Sequence, residues 1–191
     1  MLSRTSKIIK RVAIFGDGTA KKTQKHYQDA FRVARILAQN NYIIVNGGGP
    51  GIMLAATMGA KSAAGRVELV ILDPRHEPKH YEGADSKNTS LADKIYSSAT
   101  YSRRLDKLIQ LADAYIIFKG GTGTLSEIGL TWEQAKFDYG HHEPLIFYGR
   151  FWHKIVNDLI RGLELEKIEQ RVVEVVDSPQ AVLKVLRRIK R

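Results

Sequence analysis

The strongest constraint on this chain's fold is an alternation. Short, β-rich apolar runs recur along it, and each gives way to a stretch with helical periodicity. Arg11-Val12-Ala13-Ile14-Phe15 comes first and is stopped by Gly16-Asp17-Gly18-Thr19. Lys25 to Gln39 then places Tyr27, Ala30, Phe31, Ala34, Ile36 and Leu37 on most of one face, the pattern of an amphipathic helix. Tyr42-Ile43-Ile44-Val45 is a second strand, and a helix from Ile52 to Ala64 ends at Gly65. Glu68 to Leu72 is a third strand, Ala114 to Phe118 a fourth and Leu145 to Tyr148 a fifth, with a short one at Val172 to Val176. Helices are expected from about Ser98 to Leu111, from Leu125 to Phe137 and from Phe151 to Leu163. A last one starts at Ser178-Pro179, a cap followed by an N1 proline. Such alternation predicts an α/β fold, a Rossmann-like doubly wound parallel sheet with helices on both faces. Ligands in these folds bind beyond the carboxyl ends of the strands, where the strand order reverses. Residues 73 to 93 show no clear period, and a stretch of that length in a compact domain is usually functional or mobile.

At 191 residues, 43% hydrophobic and 26% charged, the chain fits a single domain spanning residues 1–191 with one sizeable core. The sequence contains no cysteine, which excludes disulfides, thiolate chemistry and zinc–cysteine sites. No apolar run approaches the roughly 20 residues of a membrane span. Met1 to Arg11 lacks the apolar core and cleavage pattern of a signal peptide, so a cytoplasmic location is expected. The net charge of +10 favours anionic ligands. Much of that charge lies at the ends, in Lys7, Lys10, Arg11 and the stretch from Lys184 to Arg191. The tail continues a helix and reads as a solvated face, which leaves nucleic-acid binding open but not favoured.

Three stretches carry chemistry. In Lys119-Gly120-Gly121-Thr122-Gly123-Thr124-Leu125-Ser126-Glu127 the glycines sit on a strand-to-helix turn. There, backbone N–H groups and the positive helix end can hold an anion. Glu127 lies one helical turn beyond Thr124, within reach of the same cleft. The second stretch, Gly47-Gly48-Gly49-Pro50-Gly51-Ile52-Met53, permits positive φ and close approach to a ligand. For both loops the alternative is tight packing of the following helix. The third is Thr100-Tyr101-Ser102-Arg103-Arg104, whose arginines point about 100° apart on a helix, so that one can face the cleft and the other solvent. Gly16 to Thr23 is a near miss for two phosphate-binding patterns, because Lys21 stands where each needs a glycine.

In this order the motifs resemble those of the LOG ("lonely guy") family, the lysine-decarboxylase-like Rossmann proteins that include cytokinin riboside 5′-monophosphate phosphoribohydrolases. The family's GGGxxGxM is matched by Gly47 to Met53, its arginine-lysine pair by Arg103-Arg104 and its PGGxGTxxE by Lys119 to Glu127. The resemblance implies hydrolysis of the N-glycosidic bond of a nucleoside 5′-monophosphate, releasing a free base and ribose 5-phosphate. It implies catalytic roles for Arg103 and Glu127. Substrate contacts are implied for Gly16, Gly47, Gly48, Gly49, Gly51, Met53, Arg104, Gly120, Gly121, Gly123 and Thr124. It implies no metal and no cofactor, and a homodimer or higher homo-oligomer. A non-catalytic carrier of a nucleotide or of a phosphorylated cofactor such as the molybdenum cofactor is the alternative on the same fold.

The chain departs from the family pattern at four places. Lys119 replaces proline, Arg104 replaces lysine, Asp17 enters the first loop, and Gly129 interrupts a helix at a cost of ~1 kcal/mol relative to alanine. Elsewhere, His76, His80, His141 and His142 read as loop residues and not as metal ligands, since Pro74 and Pro78 oppose a helix there. Tyr81, Tyr96 and Tyr101 can stack on a base or simply be half-buried, and Trp132 and Trp152 are expected in the core or at a subunit contact. Asn88-Thr89-Ser90 matches a glycosylation acceptor that a cytoplasmic chain would not use.

Overall fold

A computed structural model describes residues 9–79, 81–137 and 144–189 of the chain. In sequence order the elements are β1 (Arg11–Phe15), α1 (Lys25–Gln39), β2 (Ile43–Asn46), α2 (Ile52–Lys61) and β3 (Val67–Leu72). A 3-10 turn (Pro74–His76) and α3 (Ser86–Leu91) follow, then β4 (Lys94–Ser98), α4 (Tyr101–Leu111) and β5 (Ala114–Ile117). The chain continues through α5 (Thr122–Phe137), β6 (Leu145–Tyr148), α6 (Phe151–Gly162), α7 (Lys167–Arg171), β7 (Val173–Val176) and α8 (Pro179–Ile189). The strands form one seven-stranded sheet in the order β4-β3-β2-β1-β5-β6-β7. Every neighbouring pair is parallel, with Arg11 opposite Ile43 on one side of β1 and Val12 opposite Ala114 on the other.

The sheet is buried on both faces, and strict alternation along β1 separates two cores. Val12 and Ile14 pack with Ile44, Ile116 and Ile146 beneath α1, α2 and α8. Ala13 and Phe15 pack with Val45, Tyr115, Ile117 and Phe147 beneath α4, α5 and α6. Continuous apolar strands are what a parallel sheet covered on both sides requires. The two helices α1 and α2 lie so close that a Cβ on Gly59 would come within 2.1 Å of the Phe31 carbonyl oxygen. At the amino-terminal edge of the sheet, Glu68 is fully buried and held by Arg11 at 3.1 Å and Arg66 at 3.1 Å. These pairings balance a charge that would otherwise be costly to enclose.

The chain winds from β1 outward to β4, then returns to place β5 on the other side of β1. The strand order therefore reverses between β1 and β5, so the loops after these two strands flank the crevice where ligands of such sheets bind. The expected fold class stands.

One strand was not anticipated. β4 lies at the sheet edge with most of its residues exposed, and its Lys94-Ile95-Tyr96-Ser97-Ser98 sequence carries neither an apolar run nor a glycine boundary. Its presence moves the start of α4 to Tyr101, where Thr100 caps the helix by accepting a hydrogen bond from the Arg103 N–H. Within the stretch that showed no period, Asp85 likewise caps α3 by accepting from the Asn88 N–H at 2.8 Å. His76 lies in the 3-10 turn, whereas Lys7, His80, His141, His142, Lys190 and Arg191 fall outside the described residues. Of the tail charges, Arg187 donates to Asn40 at 2.7 Å and Arg188 pairs with Glu174. No helix among the described residues is long and apolar enough to cross a membrane.

Candidate functional site

A cleft of about 520 Å³ opens at the reversal of strand order. Its floor comes from Gly16 to Thr19 after β1 and from Gly121 to Thr124 at the start of α5. Met53, Tyr81, Glu82, Tyr101, Arg104, Ser126 and Glu127 complete it. The two floor loops are tied together by a hydrogen bond of 2.9 Å from the Asp17 N–H to the Lys119 carbonyl. The first N–H groups of a helix have no intrahelical partner. Because α5 begins at Thr122, those of Thr122, Gly123 and Thr124 are available at the positive end of a 16-residue helix. Gly121 has nothing within 4 Å of a Cβ position, so this turn is open to a ligand.

Glu127 is 8% exposed. Burial pushes its carboxyl up to about 8, with nearby Glu82 adding to the shift and Arg104 opposing it. Glu82 lines the same cleft as an exposed residue, and its carboxyl is also raised, first by partial desolvation and then by Asp17, again against Arg104. Arg104 is the cation common to both. It is 4% exposed, and its guanidinium is locked by donation from Nε to the Val70 carbonyl at 3.0 Å and from Nη2 to the Gly47 carbonyl at 3.1 Å. Tyr81 and Tyr101 flank it with ring centroids 5.9 Å from the guanidinium carbon, a cation–π arrangement that leaves the aromatic pair at the cleft wall. The cleft thus combines a helix-start turn with free N–H groups, two carboxyl groups that are both raised, a fixed guanidinium and two aromatic rings.

Of the residues implied as site residues, the structure brings Gly16, Met53, Arg104, Gly121, Gly123, Thr124 and Glu127 to this cleft. It does not bring Arg103. Along α4 the apolar Leu105, Leu108 and Ile109 turn inward, and Arg104 shares their face. Arg103 turns outward with Asp106, Lys107 and Gln110 to line a separate groove beside Tyr96. Within the single chain, Arg104 lines the cleft and Arg103 does not. Gly120 backs the turn without lining the cleft, and a Cβ there would meet the Thr124 hydroxyl at 2.1 Å.

Gly47, Gly48, Gly49 and Gly51 do not line the cleft either. Their loop is buried. Gly47 must lack a side chain because Arg104 Nη2 would lie 1.8 Å from its Cβ, and Gly51 holds φ of +62° against the Asp17 carbonyl. Asn46, Thr57 and Asn88 anchor the loop from below. Asn46 accepts from the Gly48 N–H at 2.9 Å, Thr57 donates to Asn88 at 2.6 Å, and Asn88 donates to the Gly49 carbonyl at 2.7 Å. Asn88 is fully buried, which closes it to glycosylation. Asp17 is used locally, accepting from the Thr19 N–H at 2.8 Å and its hydroxyl at 2.7 Å.

Three further residues went unread in the sequence: Glu82, whose region had no period to place it, and Asn46 and Thr57, which look like ordinary strand and helix polar residues. Trp152 is in the core, and Trp132 is half-buried, its indole N–H donating to the Glu169 carbonyl at 2.8 Å.

The fold and cleft define a doubly wound parallel α/β protein with an anion-accepting turn and a buried carboxyl at its switch point. The chain belongs to the SLOG cluster4 family, whose family model matches residues 9–179. An uncharacterized protein of Archaeoglobus fulgidus is 28% identical over 69% of this chain and 81% of its own length. The cytokinin riboside 5′-monophosphate phosphoribohydrolase LOG2 of Arabidopsis thaliana is 29% identical over 70% of this chain. That match spans 61% of the plant protein, under two thirds of its length. Among solved structures, the molybdenum cofactor binding protein from Rippkaea orientalis superposes with a TM-score of 0.69 at 19% identity, over 97% of this chain and 98% of that one. At that identity the likeness is one of fold.

Proposed function

We propose that the protein hydrolyses the N-glycosidic bond of a nucleoside 5′-monophosphate to free base and ribose 5-phosphate. The observation that carries this reading is the burial of Glu127 one helical turn beyond the Thr122–Thr124 anion turn, in the cleft that Arg104 also faces. The phosphate would lie on the N–H groups of residues 122–124 and the Thr124 hydroxyl. The ribose would then lie over Glu127 and the base beside the Tyr81–Tyr101 pair at the cleft wall. Cleavage of a glycosidic bond builds positive charge on the sugar, and an ionised carboxylate in a poorly solvated cleft stabilises that charge strongly. Glu127 would supply it and position the attacking water. Arg104 lowers the cost of ionising Glu127.

Incubation with a panel of nucleoside 5′-monophosphates should release free base, and Glu127→Gln should lower the rate by at least a hundredfold. No release from any member of the panel overturns the proposal. Because the ionised form of Glu127 is the active one, kcat/KM should climb with pH and level off above about 8. A fall through that range would instead assign Glu127 the role of acid.

A second reading has its own support: a carboxyl raised to about 8 is mostly uncharged at neutral pH, which suits holding a phosphorylated ligand without cleaving it. This reading, a carrier like the structurally similar molybdenum cofactor binding protein, predicts ligand-dependent thermal stabilisation with no base release.

We also infer a homo-oligomer. The outer face of α5 exposes Leu125, Leu130 and Phe137, the last at 74%, with Gly129 beside them and nothing within 4 Å of its Cβ position. An apolar helix face with a glycine in it admits close approach of a second helix, and the face adjoins Glu127. A nucleotide substrate fits a cytoplasmic setting.

A further inference from the structure

A second cavity, of about 510 Å³, lies behind the floor of the cleft. It is bounded by Lys25, His26 and Asp29 at the start of α1, by Lys119, and by Tyr148 to Phe151 between β6 and α6, with Asp177 at the far side. The hydrogen-bonded pair of Asp17 and Lys119 separates the two spaces. No motif accounts for this second cavity, and Lys119 is the residue that breaks the LOG pattern by standing where proline is expected.

Its charges do not cancel. Asp29 is paired with Lys25 at 2.6 Å and with Arg32 at 2.5 Å, and Asp177 with Arg150 at 2.8 Å. Lys119 forms no ion pair with any described residue, so the cavity keeps an uncompensated positive charge. The Nε2 atom of His26 is enclosed without a hydrogen bond, 3.7 Å from Asp17 Oδ2. Tyr148 is 4% exposed, its ring stacked on Phe118 at 4.7 Å, and its hydroxyl has no hydrogen-bond partner among the described residues. Burial and the nearby Asp29 push that hydroxyl up to about 12, so it keeps its proton and remains a donor. The buried polar atom that lacks a partner here is His26 Nε2, and such an atom is costly unless something fills the site. The remaining wall is apolar: Phe151 folds over Gly149, whose φ is +118° and whose Cβ would lie 2.8 Å from the ring.

We propose that this cavity is a second ligand site, which takes a small aromatic anion. Its acid group would lie among Lys119, His26 and Tyr148, and its ring against Phe151. The site does not require the cleft to be catalytic. Benzoate and phenyl phosphate serve as probes, sharing a ring and differing in the acid group. Calorimetric titration of the full chain should show one of them binding at millimolar concentration or tighter. Lys119→Ala and Tyr148→Phe should each weaken that binding at least tenfold, Lys119→Arg should retain it, and Thr124→Val in the cleft should leave it unchanged. The probe that binds names the head group. Binding of neither probe, survival of binding in either Lys119→Ala or Tyr148→Phe, or its loss in Thr124→Val overturns the proposal. Lys119 is exposed and Tyr148→Phe deletes only a hydroxyl, and the thermal unfolding of each variant reports that it is folded.

Discussion

Two glycine loops of nearly the same composition end neighbouring arms of the sheet, and they do opposite things. The loop after β2, Gly47 to Gly51, turns inward: its carbonyls receive Arg104, Asn88 and the Asp85 N–H, and its missing side chains make room for protein atoms. The loop after β5, Lys119 to Thr124, turns outward, and at Gly121 and Gly123 a Cβ would meet almost nothing. In the first loop glycine is needed because the protein is already there. In the second the space is open to a ligand. The two are nonetheless one device, since Arg104 is held by the first loop and faces the second. The inner loop positions the cation, and the outer loop presents the anion turn.

The two loops should differ most in their response to substitution at Gly51. Alanine there must accept φ of +62° and a Cβ within 2.2 Å of the Asp17 carbonyl, with backbone on both sides of the clash. Strain and overpacking together should cost roughly 3 kcal/mol or more. Urea unfolding should show a lower midpoint at unchanged slope; a loss below about 0.5 kcal/mol would mean that the inner loop is not packed as described.

Next in size is Asn88→Ala. The change removes the donor to the Gly49 carbonyl and the acceptor for the Thr57 hydroxyl, leaving both buried. An unsatisfied buried group costs about 1–3 kcal/mol. Urea unfolding of this variant should show that loss. If an amide network is what matters, Asn88→Leu should do no better, despite its apolar bulk.

Glu127 gives an effect with a definite sign. Its folded pKa is raised to about 8 from an ordinary value of 4.5, so the folded state holds a proton that the unfolded chain releases. Stability from this group is complete below the unfolded value and is lost as pH rises through about 8. Glu127→Gln should therefore flatten the stability profile between about pH 5 and 9 and be more stable than the parent at the alkaline end. A variant whose profile kept the parent's slope would place the titration elsewhere.

Much of this architecture is legible in the sequence, and what is not has physical causes. The interior strands announce themselves because burial on both faces demands apolar runs, and α1 begins and ends where its periodicity does. β4 is silent because an edge strand paired on one side needs no such run. In the site, glycine patterns mark the loops but not their direction, since close packing and ligand approach both demand a missing Cβ. The choice between Arg103 and Arg104 depends on the phase of α4. That phase is set by Leu105, Leu108 and Ile109, whose inward face also carries Arg104, whereas the Thr100 cap fixes only where the helix starts. Glu82 is reached only through tertiary structure, because nothing in its own neighbourhood marks a carboxylate that meets the cleft.

The smallest expected effect on stability is the most informative about the outer loop. Gly121→Ala introduces a methyl group into open space at a position with negative φ, so unfolding should change by less than about 0.5 kcal/mol. The methyl would nevertheless stand at the mouth of the turn before Thr122, where a bound phosphate would approach the backbone. If this loop is an anion cradle, the variant should keep the parent's unfolding midpoint while its affinity for a nucleoside 5′-monophosphate falls several-fold. Equal affinity at equal stability would leave the outer glycines without a ligand to serve. Gly51 and Gly121 would then differ only in what surrounds them, and the anion site would have to be sought behind the floor, at Lys119.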